Sequence, residues 1–363
     1  MTVISDVKAR AYTIPTEEEE SDGTLKWSST TMVVVQVRAG GRCGLGWSYS
    51  SSAVVDVIRE TLAPQVVNGD PEQTRKLWSA MVAAVRNIGR PGLVSSAIAA
   101  VDNALWDLKA KLHDVSLYRL LGAAREGVSV YASGGFTSYS SEELVKRAGQ
   151  WAQAGFSKVK MKVGRHPEKD RQRVRAVRDA LGPDVRLMVD ANGAYDRQQA
   201  LRLAHSFSQE ADVRWFEEPV SSDDLDGLRL LRDRGPVGME ITAGEYGTRA
   251  SYFLRMLQAK AVDVLQVDVT RCAGVTEFLR MGGLCLAFKI PLSAHTAPTL
   301  HLHLCTTLQA ARDVEWFHDH VLIERRFLDG FREAEDGWVF PDPERPGFGV
   351  ELRTQDLEPY RTR

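Results

Sequence analysis

The stretch SKVKMKVG, residues 157–164, has the alternation of a β-strand. Its two valines and its methionine occupy every second position, so they share one face of an extended chain. The positions between them are Lys158, Lys160 and Lys162, which share the other face. A strand that packs through its apolar face leaves such ammonium groups either in water or directed at a polar site. The stretch therefore predicts a strand with chemistry on one side.

Seven further stretches between residues 128 and 317 have strand character, and amphipathic helical segments separate them. In chain order the eight strand candidates are VSVYASGG (128–135), SKVKMKVG (157–164), VRLMVDANG (185–193), VRWFEEP (213–219), GMEITAGE (238–245), VDVLQVDVTR (262–271), IPLSAH (290–295) and DVEWF (313–317). Eight strands alternating with helices favour a closed parallel barrel over an open sheet. Because no helix is evident after the eighth strand, the predicted α/β fold is a (β/α)7β barrel of the TIM type.

The chain before the barrel has a different pattern. A predicted hairpin, TMVVVQVRAG followed by the turn at GRCG, precedes several helical segments, which indicates an α+β capping domain over residues 1–125. The barrel then takes residues 126–325, and a segment rich in proline and glycine, residues 326–363, is expected to return to the cap. Residues 15–29, PTEEEESDGTLKWSS, are either a mobile lid or a solvated loop.

Composition excludes several classes of partner. The chain has 363 residues, of which 44% are hydrophobic, and its 46 basic and 48 acidic residues nearly cancel. No overall field would attract nucleic acid or an anionic membrane. The 4 cysteines lack metal-finger spacing, and no leader or long apolar run is evident. We therefore expect a cytoplasmic protein with free thiols.

Carboxylates follow three consecutive strands of the predicted barrel: Asp190, Glu217 and Glu245. Each alone could be a turn or surface residue. In a barrel, however, the C-terminal strand ends meet at one rim, where three acids would repel one another unless a cation lies between them. Oxygen ligands without cysteine favour a hard ion, magnesium before manganese. One such ion per subunit is the predicted cofactor.

Further ionisable groups reach the same rim. Lys160 and Lys162 are two residues apart and project to the same side. A lone lysine would more often be solvated, as we expect for Lys158 at the opposite rim. His295 alone would more often be a hydrogen-bonded core residue, but Asp268 on the neighbouring strand could fix its tautomer and raise its basicity.

Taken in order along the chain, these motifs resemble those of the mandelate racemase subgroup of the enolase superfamily (the mandelate racemase/muconate lactonizing enzyme family). VKMKVG is similar to its KxK motif, and VDANG, WFEEP and AGE are similar to its three metal-ligand motifs. QVDVTRCAGVT and LSAH resemble the segments of its Asp–His dyad, and VEWF resembles the segment with its last acid.

The resemblance implies a role for each residue. Asp190, Glu217 and Glu245 would bind magnesium, and Lys162 and the pair His295–Asp268 would be the two acid/base groups. Lys160 would bind the substrate carboxylate, Glu315 would donate a hydrogen bond to it, and Asn192 would contact the substrate. Two positions depart from the pattern. Arg271 replaces the second barrel lysine of the muconate cycloisomerase and dipeptide epimerase subgroups, and Trp47 occupies a cap position where relatives often have an acid.

The implied reaction removes the proton beside a carboxylate and forms an enediolate. For that step we expect Lys162 to be partly neutral, since its neighbour Lys160 would lower its pKa. Loss of water from a sugar acid, catalysed by an acid-sugar dehydratase, is the first hypothesis. The second is racemisation or epimerisation of a 2-hydroxy acid or an amino-acid derivative at the same site, and the third is an inactive, metal-stabilised binding protein. The expected partner is a small-molecule carboxylate, and the family is typically homo-oligomeric.

Overall fold

The structure is a computed structural model that describes residues 2–363. Its N-terminal part is a three-stranded antiparallel sheet followed by helices. The elements are β1 (Ile4–Ser21), β2 (Lys26–Ala39), β3 (Arg42–Tyr49), α1 (Val54–Asp56), a π-helical turn (Val57–Leu62), α2 (Ala63–Val66), α3 (Thr74–Ala84), α4 (Leu93–Leu112) and α5 (Leu117–Leu121). Helix α4 packs its small and apolar residues against the sheet, and a separate apolar core forms between them.

Eight parallel strands follow, with seven helices between them. They are β4 (Val128–Gly134), α6 (Ser141–Gln153), β5 (Lys158–Lys162), α7 (Pro167–Leu181), β6 (Arg186–Asp190), α8 (Arg197–Ala211), β7 (Val213–Glu217), α9 (Leu225–Arg234), β8 (Glu240–Ala243), α10 (Ala250–Gln258), β9 (Val264–Val267), α11 (Val275–Phe288), β10 (Leu292–Ala294), α12 (Pro298–Thr307) and β11 (Ala311–Phe317). Strand β11 pairs with β4 and closes the barrel. The predicted (β/α)7β barrel with an α+β cap is confirmed.

Two local predictions were wrong. The prediction of a loop over residues 15–29 is wrong, because strands β1 and β2 run through most of the segment and leave only a turn between Ser21 and Lys26. The alternative, a mobile lid, stays a prediction. The acidic run that suggested a loop is part of β1, an edge strand of the cap sheet. The eighth strand is also followed at once by a helix, α13 (His318–Phe327). Its first turns carry polar residues that contact the cap, so they lack the apolar repeat that marks a barrel helix.

The tip of the β1–β2 hairpin lies on the mouth of the barrel. Thr137, in the loop after β4, donates a backbone hydrogen bond to Ser21 O (2.8 Å) and a hydroxyl hydrogen bond to Asp22 O (2.7 Å). Gly23 packs so closely on the loops after β5 and β6 that an added Cβ would lie 2.4 Å from Ala191 O. Only glycine permits this approach, so Gly23 is the residue that allows the hairpin to pack on the rim.

Polar side chains of α4 join the cap to the barrel. Asp102 accepts hydrogen bonds from the backbone nitrogen of Thr276 (2.7 Å) and from its hydroxyl (2.9 Å), at the start of α11. One turn further on, Asp107 accepts from the backbone nitrogens of Leu45 and Phe348, both at 2.7 Å. Helix α4 therefore holds the cap sheet, the barrel and the C-terminal segment together.

The C-terminal segment contains β12 (Leu328–Asp329), β13 (Trp338–Val339), β14 (Glu351–Leu352), α14 (Thr354–Leu357) and a 3-10 turn (Glu358–Tyr360). Strand β13 pairs with β4 of the barrel, and Arg361 forms a bridge with Tyr12 of the cap. Among the described residues, no helix combines the length and the apolar character needed to cross a membrane.

The buried carboxyl group of Asp102 predicts a pH dependence of stability. Burial raises its pKa to about 7, although the hydrogen bonds from Thr276 oppose this. In the unfolded chain the group ionises near its ordinary pKa of about 4, so between pH 4 and pH 7 only the folded protein keeps the proton. The stability that this group contributes is therefore present at low pH and is lost as the pH rises towards 7.

We expect Asp102→Asn to remove that loss. The free energy of unfolding of the variant, relative to the wild type, should rise by ~4 kcal/mol between pH 4 and pH 8 in urea titrations. Asp184→Asn, at an exposed position, is the matched control and should show no such trend. Parallel pH profiles for Asp102→Asn and the wild type would contradict the prediction.

Candidate active site

Three carboxylates meet at the mouth of the barrel. Asp190 ends β6, Glu217 ends β7, and Glu245 lies two residues after β8. The strand register aligns Lys162 with Asp190 and Asp190 with Glu217, so neighbouring strand ends place these side chains at one level. One oxygen from each acid lies within 4.8 Å of the others, and all three residues are buried. This is the geometry of a site for a single ion.

Proximity and burial disfavour the negative charge of these acids, and the three residues fit a hard cation. Burial, and then repulsion by Asp190, raises the pKa of Glu217 to about 8 although Lys160 opposes this. In Glu245, Oε2 has no hydrogen-bond partner. His295 Nε2 lies 3.2 Å from it as an ion pair, but the direction of this contact is unsuitable for a hydrogen bond. An oxygen-only donor set with an unpartnered buried oxygen suits magnesium.

Two lysines of β5 contact the triad from one side. Lys160 Nζ lies 2.7 Å from Glu217 Oε2 and 2.8 Å from Glu315 Oε1, and Lys162 Nζ lies 2.5 Å from Asp190 Oδ2. Burial would lower the pKa of both amines, but the acids outweigh it and raise both values. The expectation of a partly neutral Lys162 is therefore not met in this structure, because Asp190 outweighs the repulsion by Lys160.

A histidine contacts the triad from the other side. His295 Nδ1 lies 2.9 Å from Asp268 Oδ2, which leaves Nε2 facing Glu245 at 3.2 Å and Glu315 at 3.8 Å. Burial would lower the pKa of His295, but Glu245 and Asp268 raise it to about 10. Asp268 therefore orients the ring, and Nε2 is the nitrogen presented to the site.

Glu315 and Asn192 complete the group of predicted residues. Glu315 accepts hydrogen bonds from Ser133 Oγ (2.6 Å) and from Thr296 N (3.1 Å). Burial would raise its pKa, but Lys160 and the other cations lower it to about 2, so the group is ionised here and can only accept. The backbone nitrogen of Asn192 donates to Asp190 Oδ1 (2.9 Å), and the buried side-chain oxygen of Asn192 has no partner.

Other residues of the site were missed by sequence reasoning. Gln266 Nε2 donates to Glu217 Oε2 at 2.5 Å, and Trp215 Nε1 donates to the same oxygen at 3.0 Å. Both donors precede a predicted site residue by two positions on its own strand, so they share its face of the barrel wall. That spacing was the available signal.

The remaining candidates lie elsewhere. Lys158 is at the opposite rim, where it pairs with Asp313 and Ser129. Trp47 is fully buried and donates to Glu324 Oε1 (3.3 Å), so it supports the cap and does not face the site. Arg271, in contrast, lies beside the triad, with Nη1 3.0 Å from Glu245 Oε1.

Two family models match the chain. Residues 19–122 match the family described as mandelate racemase/muconate lactonizing enzyme, N-terminal domain, and residues 143–357 match the family described as enolase C-terminal domain-like. Together they cover most of the cap and most of the barrel, including the triad.

Individual proteins match over most of their length. D-galactarolactone cycloisomerase of Agrobacterium fabrum is 32% identical over 95% of this chain and 90% of its own, and arabinonate dehydratase of Saccharolobus solfataricus is 30% identical over 88% of each chain. A mandelate racemase/muconate lactonizing enzyme-like protein from Rubrobacter xylanophilus superposes with a TM-score of 0.96 at 48% identity, over 99% of this chain and 100% of that chain. L-talarate/galactarate dehydratase from Salmonella typhimurium LT2, solved with Mg and L-lyxarohydroxamate, has a TM-score of 0.92 at 28% identity, over 100% of this chain and 93% of that chain.

The triad predicts that magnesium stabilises the folded protein. A ligand that binds only the folded state at 100 times its dissociation constant adds about 2.7 kcal/mol, so magnesium should raise Tm in a thermal melt. We expect Asp190→Asn and Glu217→Gln each to abolish most of that increase. Glu240→Gln is the matched control, because Glu240 lies at the opposite end of β8 and pairs with Arg312.

Calorimetric titration of the same four proteins with magnesium measures the binding directly. An unchanged magnesium affinity in both triad variants would show that the ion binds elsewhere. A loss of affinity in Glu240→Gln as well would point to a general effect on the fold.

Proposed function

Because the chain belongs to the mandelate racemase/muconate lactonizing enzyme family of the enolase superfamily, we propose that it is a magnesium-dependent dehydratase of a sugar acid. One observation carries this proposal. Asp190, Glu217 and Glu245 form a site for one ion, and possible proton-transfer groups flank it on both sides, Lys162 at Asp190 and His295 at Glu245. Removal of a proton beside a carboxylate needs this combination of a cation and opposed acid/base groups.

Lys160 and Glu315 form the end of the site that would receive the substrate carboxylate. Lys160 is fully buried and its amine already bridges two carboxylates, Glu217 and Glu315. A substrate carboxylate would take the place of Glu315 at Lys160, and protonation of Glu315 would remove the buried charge that this displacement leaves unpaired. When bound, magnesium supplies the positive charge that stabilises the dianion left by proton removal. For Glu315 to donate a hydrogen bond to the substrate, it must first take up a proton.

Lys162 and His295 divide the proton transfers. Lys162 must first give up a proton, because its contact with Asp190 keeps the amine charged in this structure. The neutral amine then removes the proton beside the carboxylate, and His295 delivers a proton from Nε2 to the departing hydroxyl, which leaves as water. The enol then becomes a 2-keto acid. Asp268 keeps Nε2 directed at the site by holding Nδ1 at 2.9 Å. The dehydratases among the relatives support elimination as the outcome.

The test is a screen of aldonic and aldaric acids with the magnesium-loaded protein, in deuterated water. Formation of a 2-keto acid supports the proposal. Inverted substrate with deuterium beside the carboxylate and no loss of water would instead identify a racemase or epimerase. Absence of both products across the library, with magnesium binding verified, would overturn both enzymatic assignments and favour an inactive binding protein.

A homo-oligomeric state, a cytoplasmic location and the division of the chain at residues 125 and 325 stay predictions.

Substitutions test the acid/base roles of Lys162 and His295. We expect Lys162→Ala and His295→Asn each to lower kcat by about 10²–10⁴-fold, the scale of a lost acid or base. Lys158→Gln is the matched control, since Lys158 is on the same strand at the opposite rim, and it should keep near wild-type kcat. Turnover that survives both Lys162→Ala and His295→Asn would contradict these roles.

A further inference from the structure

A cavity of about 760 Å³ opens beside the triad, between the cap and the barrel. Tyr49 and Ser96 line its cap wall, and Tyr246 and Arg271 line its barrel wall. Arg271 connects the cavity with the acids, because its Nη1 lies 3.0 Å from Glu245 Oε1 while its side chain remains one-third exposed. No triad residue lines the cavity, so Arg271 is its link to the site, and a substrate that reacts at the triad would have to pass Arg271 for its far end to enter this cavity.

The cavity has an excess of positive charge. Arg271, Arg249 and Arg255 line it, and Asp223 is its one acidic lining residue. Within residues 2–363, Arg249 and Arg255 form no ion pair and their side chains no hydrogen bond. Arg271 uses Nη1 and Nε on Glu245 and Asp268, but its Nη2 makes no hydrogen bond in the same range. Three guanidinium groups thus have donors available in one cavity.

Arginines that support the fold nearby are different, because they have acid partners. Arg90 and Arg280 both pair with the buried Glu277, at 3.1 Å and 2.7 Å, and both lie over the ring of Trp78. Neither lines the cavity. These partners account for the position of Arg90 and Arg280 without an anionic substrate. Arg249 and Arg255, by contrast, are exposed at the cavity without an acid partner in residues 2–363, so their charge is available to a ligand there.

We propose that the far end of the substrate carries a second carboxylate, so that the protein acts on aldaric acids in preference to aldonic acids. This proposal rests on the proposed function and names its substrate class. A guanidinium group donates to a carboxylate through two parallel hydrogen bonds, and a neutral hydroxymethyl end offers no charge to match. One carboxylate would lie at Lys160, and the other would meet Arg249, Arg255 and the free nitrogen of Arg271.

The first experiment compares kcat/KM for pairs of aldarate and aldonate that share the configuration of their hydroxyl groups. We expect the wild type to prefer the aldarate by at least about tenfold. The double substitution Arg249→Gln and Arg255→Gln should lower that preference by about tenfold, the scale of two partly exposed charge pairs. Arg175→Gln is the matched control, because Arg175 is exposed, has no ion pair and lies outside the cavity. The preference should also weaken with added salt.

The second experiment measures binding without turnover. Titration calorimetry on magnesium-loaded Lys162→Ala protein should give tighter binding of the aldarate than of the matched aldonate, and the two arginine substitutions should remove the difference. Turnover of aldonates with no preference for aldarates would overturn this inference and leave the dehydratase proposal intact. Selective aldarate binding by a wild type without turnover would overturn the dehydratase proposal and keep the diacid site. An equal loss in Arg175→Gln would mean that net charge alone, and not this cavity, sets the preference.

Discussion

Repulsion among three buried carboxylates is the constraint on which the site depends. Asp190, Glu217 and Glu245 present oxygens within 4.8 Å of one another in a region that water barely reaches. Like charges at that distance in a medium of low dielectric constant interact strongly, so the protein must supply cations around them. It does so with Lys160, Lys162, Arg271 and His295, each of which contacts one of the acids. The same groups that neutralise the acids are those best placed for chemistry on a bound acid.

The fold and the central acids could be predicted because both follow from local patterns. Alternating apolar residues mark each barrel strand, and parallel strands bring their C-terminal ends to one rim, so the last residues of neighbouring strands must meet. The strand register follows that rule, because it pairs Lys162 with Asp190 and Asp190 with Glu217. No knowledge of distant contacts was needed for this part of the structure.

Features that depend on distant contacts could not be predicted in the same way. Helix α13 was missed because Asp319 and Glu324 on it contact Trp27 and Trp47 of the cap, which replaces an apolar helix face with polar partners. The charge state of Lys162 was wrong because it depends on the separation of Lys162 from Asp190, which the sequence does not contain. The roles of the arginines at the cavity depend equally on which of them have partners, and only the three-dimensional structure distinguishes Arg90 from Arg249.

The position of Gly23 has a consequence for how the molecule assembles. The turn that covers the barrel mouth is made near the start of the chain, whereas the loops it rests on contain Thr137, Val163 and Ala191. Contacts across such long sequence separations form late in folding, because the intervening chain must first be ordered. A nascent chain therefore carries this turn without its support until the third of the eight barrel strands, β6, has been synthesised. The barrel mouth is consequently covered late in folding, although the turn that covers it is among the first parts of the chain to leave the ribosome.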